Sequence, residues 1–211
     1  MRRARLIKGL AALVTLMLGG PALCCAAPIS HGGLVFSDEL GGFTLVSVSG
    51  TGTLDDPLTV VEEVTGDRAI ALTIRNFGRD FGNRIGSQHV AAFAMKKIVI
   101  NKTSHVWRNY QMELREVTTR HSPYGDGLSF GQNSYIGTNY TSSTFASLQR
   151  FDEPEDTLGF SGTEVPPGGR AEFSFIVSDM SPVSVFYVMQ LPLQPLSLQD
   201  AAAPSQWALK P

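Results

Sequence analysis

The chain has 211 residues, of which 43% are hydrophobic and 17% charged, with a net charge of −2; this describes a chain that buries one core and excludes disordered and fibrous classes. Four of its 17 basic residues, Arg2, Arg3, Arg5 and Lys8, lie at the very start, so the remaining 13 face 19 acidic residues. No cluster of Lys and Arg able to displace counterions from phosphates is present, which excludes nucleic acid as the expected partner.

Residues 1–26 read as a secretory signal peptide, with a basic start, an apolar run from Leu10 to Leu18, and Gly19-Gly20-Pro21 before small residues. A run of about ten apolar residues is half the roughly twenty needed to span a bilayer, so the segment is a signal and not an anchor. Cleavage is expected after Ala26, and Cys24 and Cys25 leave with the leader. The rival reading, lipidation of Cys24 or Cys25, wants a small residue just before the cysteine, where Leu23 and Cys24 stand instead. A twin-arginine signal at Arg2-Arg3 lacks matching flanks. The processed chain then has no cysteine in an extracytoplasmic compartment, secreted or periplasmic, so burial and not disulfides must stabilise it. No membrane-spanning segment is expected once the leader is gone.

From Leu34 onward the pattern is that of short strands. Leu34-Val35-Phe36 and Phe43–Ser49 come first, then a turn through Gly50-Thr51-Gly52-Thr53 and Asp55-Asp56-Pro57. Leu58–Val64 and Ala69–Arg75 are separated by Thr65-Gly66-Asp67-Arg68, a length that predicts a hairpin. Asn76–Ser87 is polar and glycine-rich and reads as a long loop; its Asp80-Phe81-Gly82 spells a kinase magnesium motif without the rest of a kinase. Val90–Asn101 is read as a strand on Ile98-Val99-Ile100 and the lack of a helix cap. Val106–Val117 places Tyr110, Met112 and Leu114 on one face and Gln111, Glu113 and Arg115 on the other, a half-buried strand. Residues 118–164 are the least regular and the first place to look for a ligand. Pro166-Pro167-Gly168-Gly169 then introduces Ala171–Ser178, alternating through Phe173, Phe175 and Val177 with Ile176 as the exception, and after Asp179–Pro182 the run Val183–Gln190 completes a second predicted hairpin. Leu193–Pro211 reads as an exposed extension. These eight or nine strands without a long helix predict an all-β, antiparallel sandwich as one domain over residues 27–192.

Trp107, Tyr110, Met112 and Leu114 on one strand, then Asp126–Phe130, Asp156–Gly162, Pro167-Gly168 before Phe173 and Phe175, and Phe186-Tyr187 leading to Gln190 and Pro192 follow a recognisable order. It resembles secreted bacterial immunoglobulin-like modules, including those in proteins with interchangeable C-terminal surface anchors, over roughly residues 90–192. The resemblance implies an extracytoplasmic immunoglobulin-like sandwich of undetermined function with no catalytic residues to carry over. Leu193–Pro211 lacks the hydrophobic helix and basic end of such an anchor, which favours a freely secreted or periplasmic protein.

Enzyme motifs fare poorly against their required context. Gly127-Leu128-Ser129-Phe130-Gly131 fits the nucleophile elbow of serine hydrolases, but that order needs a histidine after the serine and His121 is the last one. His31, His89, His105 and His121 have no zinc-ligand spacing. Asp126, Asp152 and Asp156, with Glu153 and Glu155 beside them, are candidate oxygen ligands for calcium without the spacing of an EF-hand loop; as a glycosidase pair such carboxylates would need a defined separation in a cleft. Trp107 and Tyr124, with Tyr110, Tyr135 and Tyr140, are candidates for an aromatic platform on which sugar rings stack. Asn101-Lys102-Thr103 and Asn139-Tyr140-Thr141 are formal glycosylation sequons, which mean little in a bacterial chain. The expectation is a non-enzymatic structural or interaction module without a cofactor, whose partner is another secreted or surface protein or a glycan; a carbohydrate-binding module is the alternative, and a serine hydrolase stands behind it.

Overall fold

Alternating apolar side chains set the strands, and the turn residues between them set their ends. The computed structural model describes residues 27–131, 140–151 and 156–193, with the backbone alone at Tyr124; the leader with Cys24 and Cys25, and the tail beyond Leu193, lie outside the described residues. In chain order the strands are β1 (Ile29–His31), β2 (Leu34–Ser37), β3 (Phe43–Ser49), β4 (Leu58–Val64), β5 (Ile70–Arg75), β6 (Ala91–Asn101), β7 (Asn109–Arg115), β8 (Leu128–Ser129), β9 (Thr141–Ser142), β10 (Ser147–Phe151), β11 (Thr157–Ser161), β12 (Arg170–Asp179) and β13 (Val185–Leu193). Two 3-10 turns, Arg79–Phe81 and Tyr124–Asp126, are the only helical pieces among the described residues, and no helix there is long and apolar enough to cross a membrane. Of the thirteen strands among the described residues, β1, β8 and β9 have three residues or fewer, too short to show as alternation, and β10 and β11 lie in the stretch 118–164 read as irregular, which is why the sequence suggests only eight or nine.

One sheet has the order β1-β2-β5-β13-β7-β11-β10 and the other β3-β4-β6-β12-β8, with β9 sharing the outer edge of β12. Their inner faces carry one continuous core, including Phe36, Leu72, Ile74, Phe93, Met95, Met112, Leu114, Phe173, Phe175, Phe186 and Val188. Each such side chain taken fully out of water contributes roughly 1.5–3 kcal/mol. Pairing is antiparallel except between β4 and β6, which run parallel.

Both predicted hairpins turn out to be corners between sheets. β4 pairs with β3 and β6, whereas β5 pairs with β2 and β13. The amides of Thr65 and Gly66 donate to Gly42 O, which turns the chain out of its own sheet. Likewise β12 lies in one sheet and β13 in the other; the Ser181 amide donates to Asp179 Oδ1 at 2.7 Å and the Asn76 amide to Ser184 O at 2.7 Å, steering the chain towards β5. The turn residues correctly mark where the strands end. They carry no information about which neighbour the next strand takes.

Irregularities along the strands have local reasons. Val46 is skipped in the pairing of β3 with β4, a bulge that moves Ser47 out and returns Val48 to the core side. Ile176, the break in the alternation of β12, packs with Ile85, Ala92 and Ala94 in a small second cluster on the outer face. The polar loop 76–87 is pinned, because Phe77 sits 5.4 Å from Phe93 and 5.0 Å from Phe186, and Phe81 5.6 Å from Phe93. Arg84 lies 3.9 Å from the Phe81 ring centroid and donates to Thr51 O and Gly32 O, both at 2.6 Å.

Candidate functional site

The aromatic candidates divide between core and periphery. Trp107 is 1% exposed, joined to Val165 by two backbone hydrogen bonds and packed 5.6 Å from Tyr110. It is a core residue and does not present its ring for stacking. Tyr110 is likewise buried, 4.9 Å from Phe173. Tyr140 is half-buried with the Arg150 guanidinium 5.3 Å from its ring centroid. The side chain of Tyr124 and all of Tyr135 lie outside the described residues, so no pair of exposed aromatics is brought together among those described.

The carboxylate candidates are placed apart in their interactions. Asp156 is nearly buried with its carboxylate 3.8 Å from Arg150 Nη2, and its carbonyl accepts from the Leu114 amide. Asp126 ends a 3-10 turn, and its Oδ1 accepts from the Leu128 amide at 3.0 Å. Its electrostatic neighbours are Asp179 and Glu116, neither of which the sequence singled out. Asp152 lies outside the described residues. Among the described residues no group of three or more His, Cys, Asp or Glu side chains is placed to hold a metal ion.

Asp179 carries the inward parity of β12 to the end of the sandwich, where Gly127 closes over it: a Cβ at Gly127 would stand 3.3 Å from Asp179 Oδ1. Asp179 Oδ2 and Asp126 Oδ2 are both buried without a hydrogen-bond partner. Burial pushes the Asp179 carboxyl up to about 7, with Glu116 and Asp126 adding like-charge repulsion against the Ser181 amide. Burial and Asp126 raise Glu116 too, against the pull of Arg120. Asp179 therefore keeps its proton up to about neutrality.

On the outer face of β7 the expected half-buried character fails. Glu113 and Arg115 are buried, since residues 116–122 fold back over them: Arg115 donates to both carboxylate oxygens of Glu113 at 2.5 and 2.8 Å and to Thr118 O at 2.9 Å. His121 Nδ1 lies 2.6 Å from Glu113 Oε1, and Ser122 Oγ accepts from the Glu116 amide. The bidentate pair is charge-balanced and offers no nucleophile. Ser129, the elbow candidate, sits in β8 with its hydroxyl buried 3.4 Å from Ser178 Oγ.

The most concentrated chemistry lies between the sheets. β4 runs Leu58, Val60, Glu62, Val64 along its inner face and β6 runs Phe93, Met95, Lys97, Val99, so Glu62 and Lys97 replace apolar residues at core positions. Both side chains are 0% exposed, and Lys97 Nζ donates to Glu62 Oε1 at 2.5 Å. Across the sandwich, Gln190 of β13 donates through Nε2 to Glu62 Oε2 at 2.9 Å and accepts at Oε1 from the Tyr110 hydroxyl of β7 at 2.7 Å. One chain of hydrogen bonds therefore runs Lys97, Glu62, Gln190, Tyr110 from one sheet to the other. Burial lowers Lys97 below the ordinary lysine range against the attraction of Glu62, and burial with the Glu62 charge holds Tyr110 well above the ordinary tyrosine range. Tyr110 is thus a fixed donor and Lys97 is eased towards the neutral amine. The available signal in the sequence is three polar residues at inward parity in apolar strands; which of them meet is a tertiary fact.

No protein-family model, no curated protein and no solved structure matches this chain.

Proposed function

We propose that the chain acts outside the cytoplasm as a non-catalytic structural or interaction module built on an immunoglobulin-like sandwich. The observation that carries this reading is where the chemistry-bearing side chains lie. Lys97, Glu62, Gln190, Tyr110 and Trp107 are in the core, linking or packing the two sheets instead of lining a surface. A sandwich so arranged gives its interior to cohesion, which suits a module exposed to a harsh compartment without cysteine crosslinks. The basic and apolar leader of residues 1–26 supports the compartment. The buried hydroxyl of Ser129 and the buried ring of Trp107 weigh against the hydrolase and sugar-platform readings.

Cell fractionation with N-terminal sequencing tests the compartment; an extracytoplasmic chain beginning at Ala27 is expected, and a cytoplasmic chain retaining Met1 overturns it. Ester-hydrolysis and glycan-array assays on the purified chain test the rest. The expected result is neither turnover nor retention. Ester turnover lost in Ser129→Ala, or saturable glycan binding lost in Tyr140→Ala with the fold intact, would return the protein to one of the other two classes.

A further inference from the structure

The buried chain Lys97, Glu62, Gln190, Tyr110 holds the parts of an amide-exchange reaction, and we propose that Lys97 and Gln190 join in an intramolecular isopeptide bond that ties β6 of one sheet to β13 of the other. The inference goes beyond the structural reading above and does not depend on it, because it is decided by the covalent mass of the chain.

Three observations carry it. First, an amine nucleophile and a carboxamide are held on the two oxygens of one carboxylate, Lys97 Nζ on Glu62 Oε1 at 2.5 Å and Gln190 Nε2 on Glu62 Oε2 at 2.9 Å. Second, the carboxamide oxygen already has its donor, the Tyr110 hydroxyl at 2.7 Å, placed where negative charge would develop during attack. Third, all four side chains are 0% exposed, so water competes neither as nucleophile nor as solvent for the charges. The hydrogen-bond inventory of Lys97 agrees. An ammonium has three N–H donors, and among the described residues Nζ has one acceptor, Glu62 Oε1, leaving two donors unmatched where unmatched donors are costly. An amide nitrogen has one N–H, which that single acceptor satisfies.

The steps balance without any co-reactant. Lys97 passes one proton to Glu62 and becomes the neutral amine. Its lone pair forms the Nζ–Cδ bond to Gln190 while the carbonyl π pair moves onto Gln190 Oε1, where the Tyr110 hydroxyl donates to it. Glu62 delivers a proton to Gln190 Nε2 and takes the second proton from Nζ. The Cδ–Nε2 bond then breaks, the carbonyl re-forms, and one ammonia leaves. Nothing is oxidised or reduced. Glu62 acts as proton carrier, and its two-sided position is what that task requires. The product is a covalent bridge across the sandwich in a chain whose described residues include no cysteine.

The test is the intact mass of the purified full chain under denaturing conditions, read against the sequence mass from its determined N-terminal residue. A mass lighter by one ammonia is expected, with tandem mass spectrometry of a digest showing one branched peptide that joins the Lys97 and Gln190 segments. Lys97→Arg and Glu62→Gln, each checked for β structure by circular dichroism, are expected at their full sequence masses. Wild-type protein that is folded yet at full sequence mass after prolonged incubation overturns the proposal. So does a loss of one water with the branch at Glu62, and so does ammonia loss that persists in Lys97→Arg. Because the wild-type mass decides, the proposal stays testable even if a variant fails to fold.

Discussion

Asp179 makes a quantitative prediction about pH. Its carboxyl, ordinarily near 3.8, is raised to about 7 in the folded chain, chiefly by burial and then by Glu116 and Asp126. Between those values the folded state keeps a proton that the unfolded state has released, so stability must fall as pH rises. The contribution is fully present below about pH 4 and gone above about pH 7. At about 1.4 kcal/mol for each tenfold change in proton affinity, and allowing for partial screening at the sandwich end, the cost at pH 8 is on the order of 2–4 kcal/mol. Asp179→Asn removes the ionisation while keeping an acceptor for the Ser181 amide and putting a neutral amide in place of the partnerless Oδ2. Urea denaturation followed by circular dichroism at pH 4.5 and pH 8 should find the variant more stable than wild type at pH 8 by that amount and nearly equal at pH 4.5. The difference between the two proteins is the quantity to use, since other groups titrate as well. Glu116 adds a slope of the same sign; Glu39 and Glu172, lowered first by their hydrogen bonds to Arg75 and Lys96, and His89, lowered by burial, oppose it. A difference that does not change between the two pH values would refute the argument that burial of Asp179 holds its proton.

Trp107→Ala should lower stability by about 3–5 kcal/mol, the usual result of emptying a large core site, and a melting temperature unchanged by it would contradict the core assignment. Tyr110→Phe leaves Gln190 Oε1 without its donor and should cost about 1–3 kcal/mol in a denaturant titration; no change would mean that the hydrogen bond across the sandwich contributes nothing net. Gly50 has φ +87, and a Cβ there would stand 2.1 Å from Pro57 O, so Gly50→Ala combines backbone strain with a clash and should cost at least about 1–3 kcal/mol, measured the same way. A neutral result at Gly50 would show that the turn relaxes freely.

The strands themselves were legible from sequence because alternation is local: Phe43–Ser49 and Leu58–Val64 have the same limits in the pattern and in the structure. Trp107 could be read as core or platform from its neighbours alone, and burial by Val165 and Tyr110 decides for core. Glu113 looked solvent-facing because alternation places it opposite Tyr110 and Met112, yet residues 116–122 cover that face and supply His121 as a partner beside Arg115 of the same strand.

What the amino-acid order by itself determined is therefore the β class and the limits of strands such as Phe43–Ser49 and Leu58–Val64; β8 to β11 do not mark themselves in the pattern, and Glu62, Lys97 and Gln190 are recognised as core residues only once the sheets are in place. Sheet membership at Thr65–Arg68 and Asp179–Ser184, and the meeting of Glu62 with Lys97 and of Glu62 with Gln190, 35 and 128 residues apart, belong to the tertiary structure. The division has one physical cause: strand formation depends on side chains two residues apart, whereas the choice of neighbour and the pairing of a buried charge are settled only when distant segments close around the same core.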